Sequence, residues 1–114
     1  MKTWILVFRE IDKDRFEEMR SGVKVIETRA ATPKYQSTEI GDEIRFVCGN
    51  DSFTRVISKK YQWSGVDEMV KEVPFKKVMP NVVSIEEMKG VYSSYPDYDQ
   101  KIKEYGLLGF EFEK

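Results

Sequence analysis

The sequence predicts an α+β fold: about five mostly antiparallel strands in a strongly curved sheet, with short helices inserted between strands four and five. Three observations predict it. Both ends of the chain read as strands, Thr3 to Arg9 and Leu107 to Glu113, which are expected to lie side by side. The helical spacings gather after Ser64 instead of alternating with strands. The 114 residues carry no internal repeat, linker or low-complexity segment, so residues 1–114 are one domain. A chain of this length buries roughly 65% of its unfolded surface, enough for one core without staples.

Taken in order, Thr3 to Arg9 is a continuous apolar run and reads as a strand buried on both faces. It is too short for a membrane span. Glu10 and Asp12 follow at once, and no small-residue cleavage site is present, so it does not read as a signal peptide. Ile11 to Ser21 has helical spacing, with Ile11, Arg15, Phe16 and Met19 near one face, Asp12 as N-cap and Gly22 as terminator.

Gly22 to Arg29 then reads as a strand, because Val25, Ile26 and Thr28 are β-branched. Alternation puts Glu27 and Arg29 on one face with Val23 and Val25, and Lys24 on the other with Ile26 and Thr28, unless a bulge near Gly22 re-aims the lysine. Charges set among apolar residues either pair across the strand or line a cleft. Lys24, Glu27 and Arg29 are therefore the first candidate site residues. Ala30 to Ile40 has no clean period and follows directly. It reads as a loop able to fold over whatever the strand presents, with Lys34 as a cation and Tyr35 as a stacking ring, or else as a solvated connector.

Gly41-Asp42 turns into Glu43 to Cys48, where Ile44, Phe46 and Cys48 alternate with polar neighbours as in a half-buried antiparallel strand. Cys48 lies on the apolar phase and reads as packing. Gly49-Asn50-Asp51 is a hairpin loop. Phe53 to Trp63 is the long partner strand, and its apolar phase slips midway, which calls for a bulge or strong twist. Ser64 and Asp67 resemble a capping box for a helix with Val66, Met69, Val70 and Val73 inward, stopped by Pro74. Phe75 to Met79 is irregular, and Pro80-Asn81 is a turn. Ser84 and Glu87 form a cleaner capping box, opening a helix through about Ser93 with Ile85, Met88, Val91 and Tyr92 inward and Gly90 weakening it. Tyr95-Pro96-Asp97 breaks it, Asp97 caps a last helix through Tyr105, and Gly106 ends that helix. In the closing strand Leu108, Phe110 and Phe112 point in, while Gly109, Glu111 and Glu113 point out.

Composition narrows the chemistry. Lys plus Arg is 19 and Asp plus Glu is 20, a net charge of -1. That argues against sequence-blind binding of duplex DNA, which needs a basic footprint. Cys48 is the only cysteine, so no internal disulfide forms, and a reducing cytoplasm is the expected compartment. There is no histidine. Ser-His-Asp and Cys-His catalysis are thereby removed, as are imidazole and thiolate metal sites. No carboxylate-rich loop suggests an all-oxygen metal site, and no cofactor is implied. Any enzyme here must use Lys, Glu, Thr, Tyr or Asp for its proton work.

Gly22, Lys24, Glu27 and Arg29 stand as G-x-K-x-x-E-x-R. This pattern resembles the signature of the ASCH domain, the activating-signal-cointegrator homology family, which is related to the PUA fold of RNA-binding proteins. The resemblance extends along nearly the whole chain through Gly41-Asp42, the strand ending in Tyr61, Val73-Pro74, Pro80, Tyr95-Pro96 and Gly106. In that order they are similar to the small stand-alone ASCH proteins of bacteria and archaea. The resemblance implies a PUA-like β-pseudo-barrel, with a cleft between barrel and helical insertion and the signature strand on its floor.

Three functions follow for comparison. The first is binding of RNA or a nucleotide, with Lys24 or Arg29 meeting a phosphate or base edge and Tyr35, Tyr61 or Trp63 offering stacking surfaces. The ligand set is then Lys24, Glu27, Arg29, Lys34, Tyr35 and Tyr61. The second is hydrolysis of acylated nucleosides, since some ASCH proteins are amidohydrolases that deacetylate 4-acetylcytidine with a lysine, a threonine nucleophile and a glutamate. Lys24 matches that lysine, Glu27 occupies the threonine's position, and the glutamate's region falls near Asn81. A different, metal-independent hydrolysis would use Glu27 as general base and Lys24 as electrostatic stabiliser. The third is a protein-interaction module, for which no residue pattern stands out.

Overall fold

The computed structural model describes residues 1–114. Strands β1 (Thr3–Phe8), β2 (Glu27–Ala30), β3 (Glu43–Cys48), β4 (Asp51–Trp63) and β5 (Leu107–Phe112) form one five-stranded sheet, ordered β1-β3-β4-β5-β2. The helices are α1 (Lys13–Ser21), α2 (Pro33–Gln36), α3 (Val66–Glu72), α4 (Phe75–Val78), α5 (Ile85–Ser94) and α6 (Tyr98–Tyr105). The last four lie between β4 and β5, as the spacing predicts. No helix is long and apolar enough to cross a membrane.

The long strand β4 organises the sheet. Its first part pairs antiparallel with β3 across the Gly49-Asn50 turn, and its second part pairs antiparallel with β5. A register shift between Ile57 and Lys59 separates the two, where the apolar phase slips in the sequence. The bulge turns the strand, and the sheet curls into a half-barrel.

Two cores result, one on each face. Leu6, Phe8, Phe16, Phe46, Ile57, Leu108 and Phe110 fill the inside of the curl. Ile26, Tyr61, Trp63, Met69, Met88 and Leu107 pack between the outer face and the helical insertion. Consecutive residues of β5 thus serve different cores. Gly109, expected to point outward to solvent, is buried, because Trp63 covers it.

Several expectations are corrected. β1 is not buried on both faces. It is one of the sheet's two edge strands, the helices cover β4 and β5 instead, and Ile5 and Val7 are 55% and 65% exposed. The terminal strands are not neighbours: β1 pairs in parallel with β3, while β5 lies between β4 and β2. The helix expected from Ile11 begins with a 3-10 turn over Glu10–Asp12, and Ile11 is exposed. Asp12 makes no side-chain cap, since Arg9 and Arg15 engage its carboxylate. Ser64 donates to Glu68 instead of capping α3, whose N-cap is Gly65. Residues 30–40 include the short helix α2, begun by Pro33, and Phe75–Val78 forms the turn of helix α4. The Ser84 hydroxyl does accept from the Glu87 amide, and Cys48 is buried in the inner core.

Candidate functional site

The Gly22 to Arg29 stretch is only half strand. Gly22 ends α1 in the left-handed conformation at φ 88°. The next residues are held away from the sheet: the Lys24 amide donates to Glu18 O, and the Val25 and Ile26 amides both donate to Lys77 O. Strand pairing begins at Glu27, opposite Phe110. Alternation therefore does not operate between Lys24 and Glu27, and the lysine turns to the same side as Glu27 and Arg29.

These three side chains line a cavity of about 190 Å³ between the end of β1, β2 and the α5–α6 turn. Lys24 and Glu27 are each 4% exposed. Lys24 Nζ stands 3.6 Å from Glu27 Oε1 and donates to the Val78 carbonyl. Arg29 Nε donates to Glu27 Oε2 at 3.1 Å. One carboxylate thus holds two cations. The Arg29 guanidinium also sits 5.3 Å above the Phe8 ring, and its terminal nitrogens make no hydrogen bond within the protein. Burial pulls the Lys24 ammonium below its usual range, and the Glu27 carboxylate restores part of the loss.

A second layer comes from residues spaced by three. Arg9 Nε donates to Asp12 Oδ2 at 2.7 Å, and Arg15 Nη1 lies 3.6 Å from Asp12 Oδ1. Tyr92 of α5, Tyr95 at its C-cap and Tyr98 at the start of α6 supply the opposite wall. The chain reverses at Asp97, the one non-glycine residue with positive φ, at 60°. That turn brings the Tyr95 and Tyr98 rings edge to face at 5.3 Å. Arg9 lies over the Tyr95 ring at 5.3 Å. The Tyr92 hydroxyl bonds to Thr28 Oγ1, so Thr28 also reaches this cavity. Burial raises the phenols of Tyr92, Tyr95 and Tyr98 above their ordinary value.

The other sequence candidates lie elsewhere. Lys34 lies over its neighbour Tyr35, and Tyr35 packs against the inner core. Tyr61 stacks on Trp63 and donates to Glu111 in the outer core. Asn81 is exposed and does not line the cavity. Arg9, Asp12, Arg15 and the three tyrosines escaped the sequence reading because each had an ordinary structural role available. Their shared spacing of three, Arg9-Asp12-Arg15 and Tyr92-Tyr95-Tyr98, is the signal that marks them.

No family model matches the chain, and no curated protein matches it. Two solved structures are similar along almost the whole length. The crystal structure of hypothetical protein PH0355 is 28% identical with a TM-score of 0.81, covering 97% of this chain and 97% of that one. The solution NMR structure of protein PF0455 from Pyrococcus furiosus is 28% identical with a TM-score of 0.76, covering 97% and 96% respectively. The curled α+β half-barrel is therefore a fold these proteins share, helical insertion included.

Proposed function

We propose that this protein is a cytoplasmic, PUA-like ASCH domain that binds RNA or a nucleotide in the cavity floored by Lys24, Glu27 and Arg29. One observation carries the reading: the cavity's two carboxylates are each shared by two cations, and the arginines keep donors to spare. Glu27 is shared by Lys24 and Arg29, and Asp12 by Arg9 and Arg15. Open donors remain on Arg29 and Arg15, beside the rings of Tyr95 and Tyr98. A site with spare cationic donors and flat apolar walls favours a ligand bearing an anion and a ring. The curled five-stranded sheet with helices between β4 and β5 supports the PUA-like architecture that the resemblance implies.

Amide NMR titration with nucleosides, nucleotides and a short single-stranded RNA tests the binding. Shifts are expected at residues 24–29 and 92–98. Silence there with every compound, or shifts confined to residues 33–38, would remove the proposed site.

Hydrolysis of acylated nucleosides is the second reading. The buried Lys24 amine, with its lowered pKa, beside the Glu27 carboxylate favours it. Turnover of an acylated nucleoside that disappears in Lys24→Ala and Glu27→Gln, with the fold intact, is its expected signature. An unchanged rate in both variants would end it.

A further inference from the structure

The charge inventory of the cavity says more about the ligand than its class. Four cations, Arg9, Arg15, Lys24 and Arg29, face two carboxylates, Asp12 and Glu27. The surplus is two positive charges in a cavity of about 190 Å³. An internal phosphodiester carries one negative charge and two free oxygens. A terminal phosphate monoester carries about −1.5 to −2 and three strong acceptor oxygens. The dianion matches the surplus, and the donors suit it. Arg29 presents its terminal nitrogens as a fork after Nε is spent on Glu27. Arg15 has only the 3.6 Å contact with Asp12, which an incoming anion can loosen.

The same inventory limits what is read of the base. Amino groups on a base edge are recognised by free acceptors, most strongly by carboxylates. Both carboxylates here are committed to cations, and the Val78 carbonyl accepts from Lys24. The rings of Tyr95 and Tyr98 line the cavity, Tyr95 with Arg9 over one face, and stacking on a ring is tolerant of base identity. The volume, about 190 Å³ against the roughly 300–1,000 Å³ of drug-sized sites, leaves room for no more than one nucleotide unit.

Resting on the nucleotide-binding reading above, we infer that the cavity captures a terminal phosphate monoester on a single nucleotide unit, without selecting its base. The phosphate lies against Arg29 and Arg15, and the base against Tyr95 and Tyr98.

Calorimetric titration of the unaltered protein tests this with a panel of ligands. The four ribonucleoside monophosphates should bind with affinities within about tenfold of one another, since stacking differs little among bases. Adenosine, and the methyl ester of adenosine monophosphate, should each bind about tenfold or more weakly than adenosine monophosphate itself. Inorganic phosphate should bind more weakly than any of the four. If the methyl ester or adenosine binds as well as the monophosphate, the terminal-phosphate inference is overturned while nucleotide binding stands. A preference for one base beyond about tenfold overturns the base-blind part alone. Inorganic phosphate binding as tightly as the nucleotides, or no binding by any of the panel or by single-stranded RNA, overturns the nucleotide reading itself. Arg29→Lys should keep the fold and lose the preference for monoester over methyl ester, because an ammonium lacks the planar fork.

Discussion

Glu27 is the residue on which the cavity depends. Its two oxygens hold Lys24 and Arg29, and it is 4% exposed. Removing it leaves two desolvated cations without their counter-charge. Glu27→Ala should lower the unfolding free energy by about 3–5 kcal/mol, measured by urea denaturation. Lys24→Met should cost less, because Glu27 keeps Arg29 and only the Val78 carbonyl loses its donor. If the two variants are equally unstable, Glu27 is not the shared anchor. The charged residue types of this site are visible in the sequence, but their directions are not. Strand alternation would send Lys24 away from Glu27, and it fails because residues 24–26 bond to Glu18 and Lys77 instead of a neighbouring strand.

At the scale of elements, two glycines have opposite consequences. Gly106 joins α6 to β5 at φ 85° and ψ −165°, and an added Cβ would stand 2.4 Å from the Trp63 carbonyl oxygen. Gly106→Ala combines a backbone conformation that only glycine tolerates with a backbone clash. It should destabilise by about 3 kcal/mol or more. Gly90 lies inside α5, and nothing stands within 4 Å of its added Cβ. Gly90→Ala should stabilise by about 0.5–1 kcal/mol, because alanine loses less backbone freedom in a helix. Thermal unfolding of the two variants checks both signs. The helix stop at Gly22, the hairpin at Gly49-Asn50, the bulge in β4 and the Ser84 cap were all legible, because each rests on local backbone chemistry. The length of β2 was not, because the Val25 and Ile26 amides bond to Lys77 O and pairing with β5 begins only at Glu27.

Across the whole molecule, the cavity's tyrosines tie stability to alkaline pH. Burial raises the folded pKa of Tyr92, Tyr95 and Tyr98 above the ordinary value of 10.0. The unfolded chain ionises first, so it binds fewer protons above that pH. Their contribution is complete below pH 10 and is lost as pH rises through the folded values. Lys24 has the opposite sign, since its folded pKa is lowered from 10.5 and its burial penalty lifts as pH approaches that value. Urea midpoints between pH 9 and 11.5 should therefore fall beyond about pH 10, and less steeply in Tyr92→Phe than in the parent. Parallel slopes would show that Tyr92 does not carry the effect.

The sequence alone determined the α+β fold class, the helices set between β4 and β5, the lack of any histidine in these residues and the three charged residues of the floor. These follow from composition, periodicity and turn chemistry, which act over a few residues. Tertiary structure decided which faces are covered and which distant residues share a cavity. The order β1-β3-β4-β5-β2 makes β1 an exposed edge and puts β5 between two cores. The same curl brings Arg9 and Arg15 across from Tyr95 and Tyr98, residues separated by most of the chain. Local spacing can mark such residues as candidates, but only long-range packing can set an arginine from one end of the chain against a tyrosine from the other.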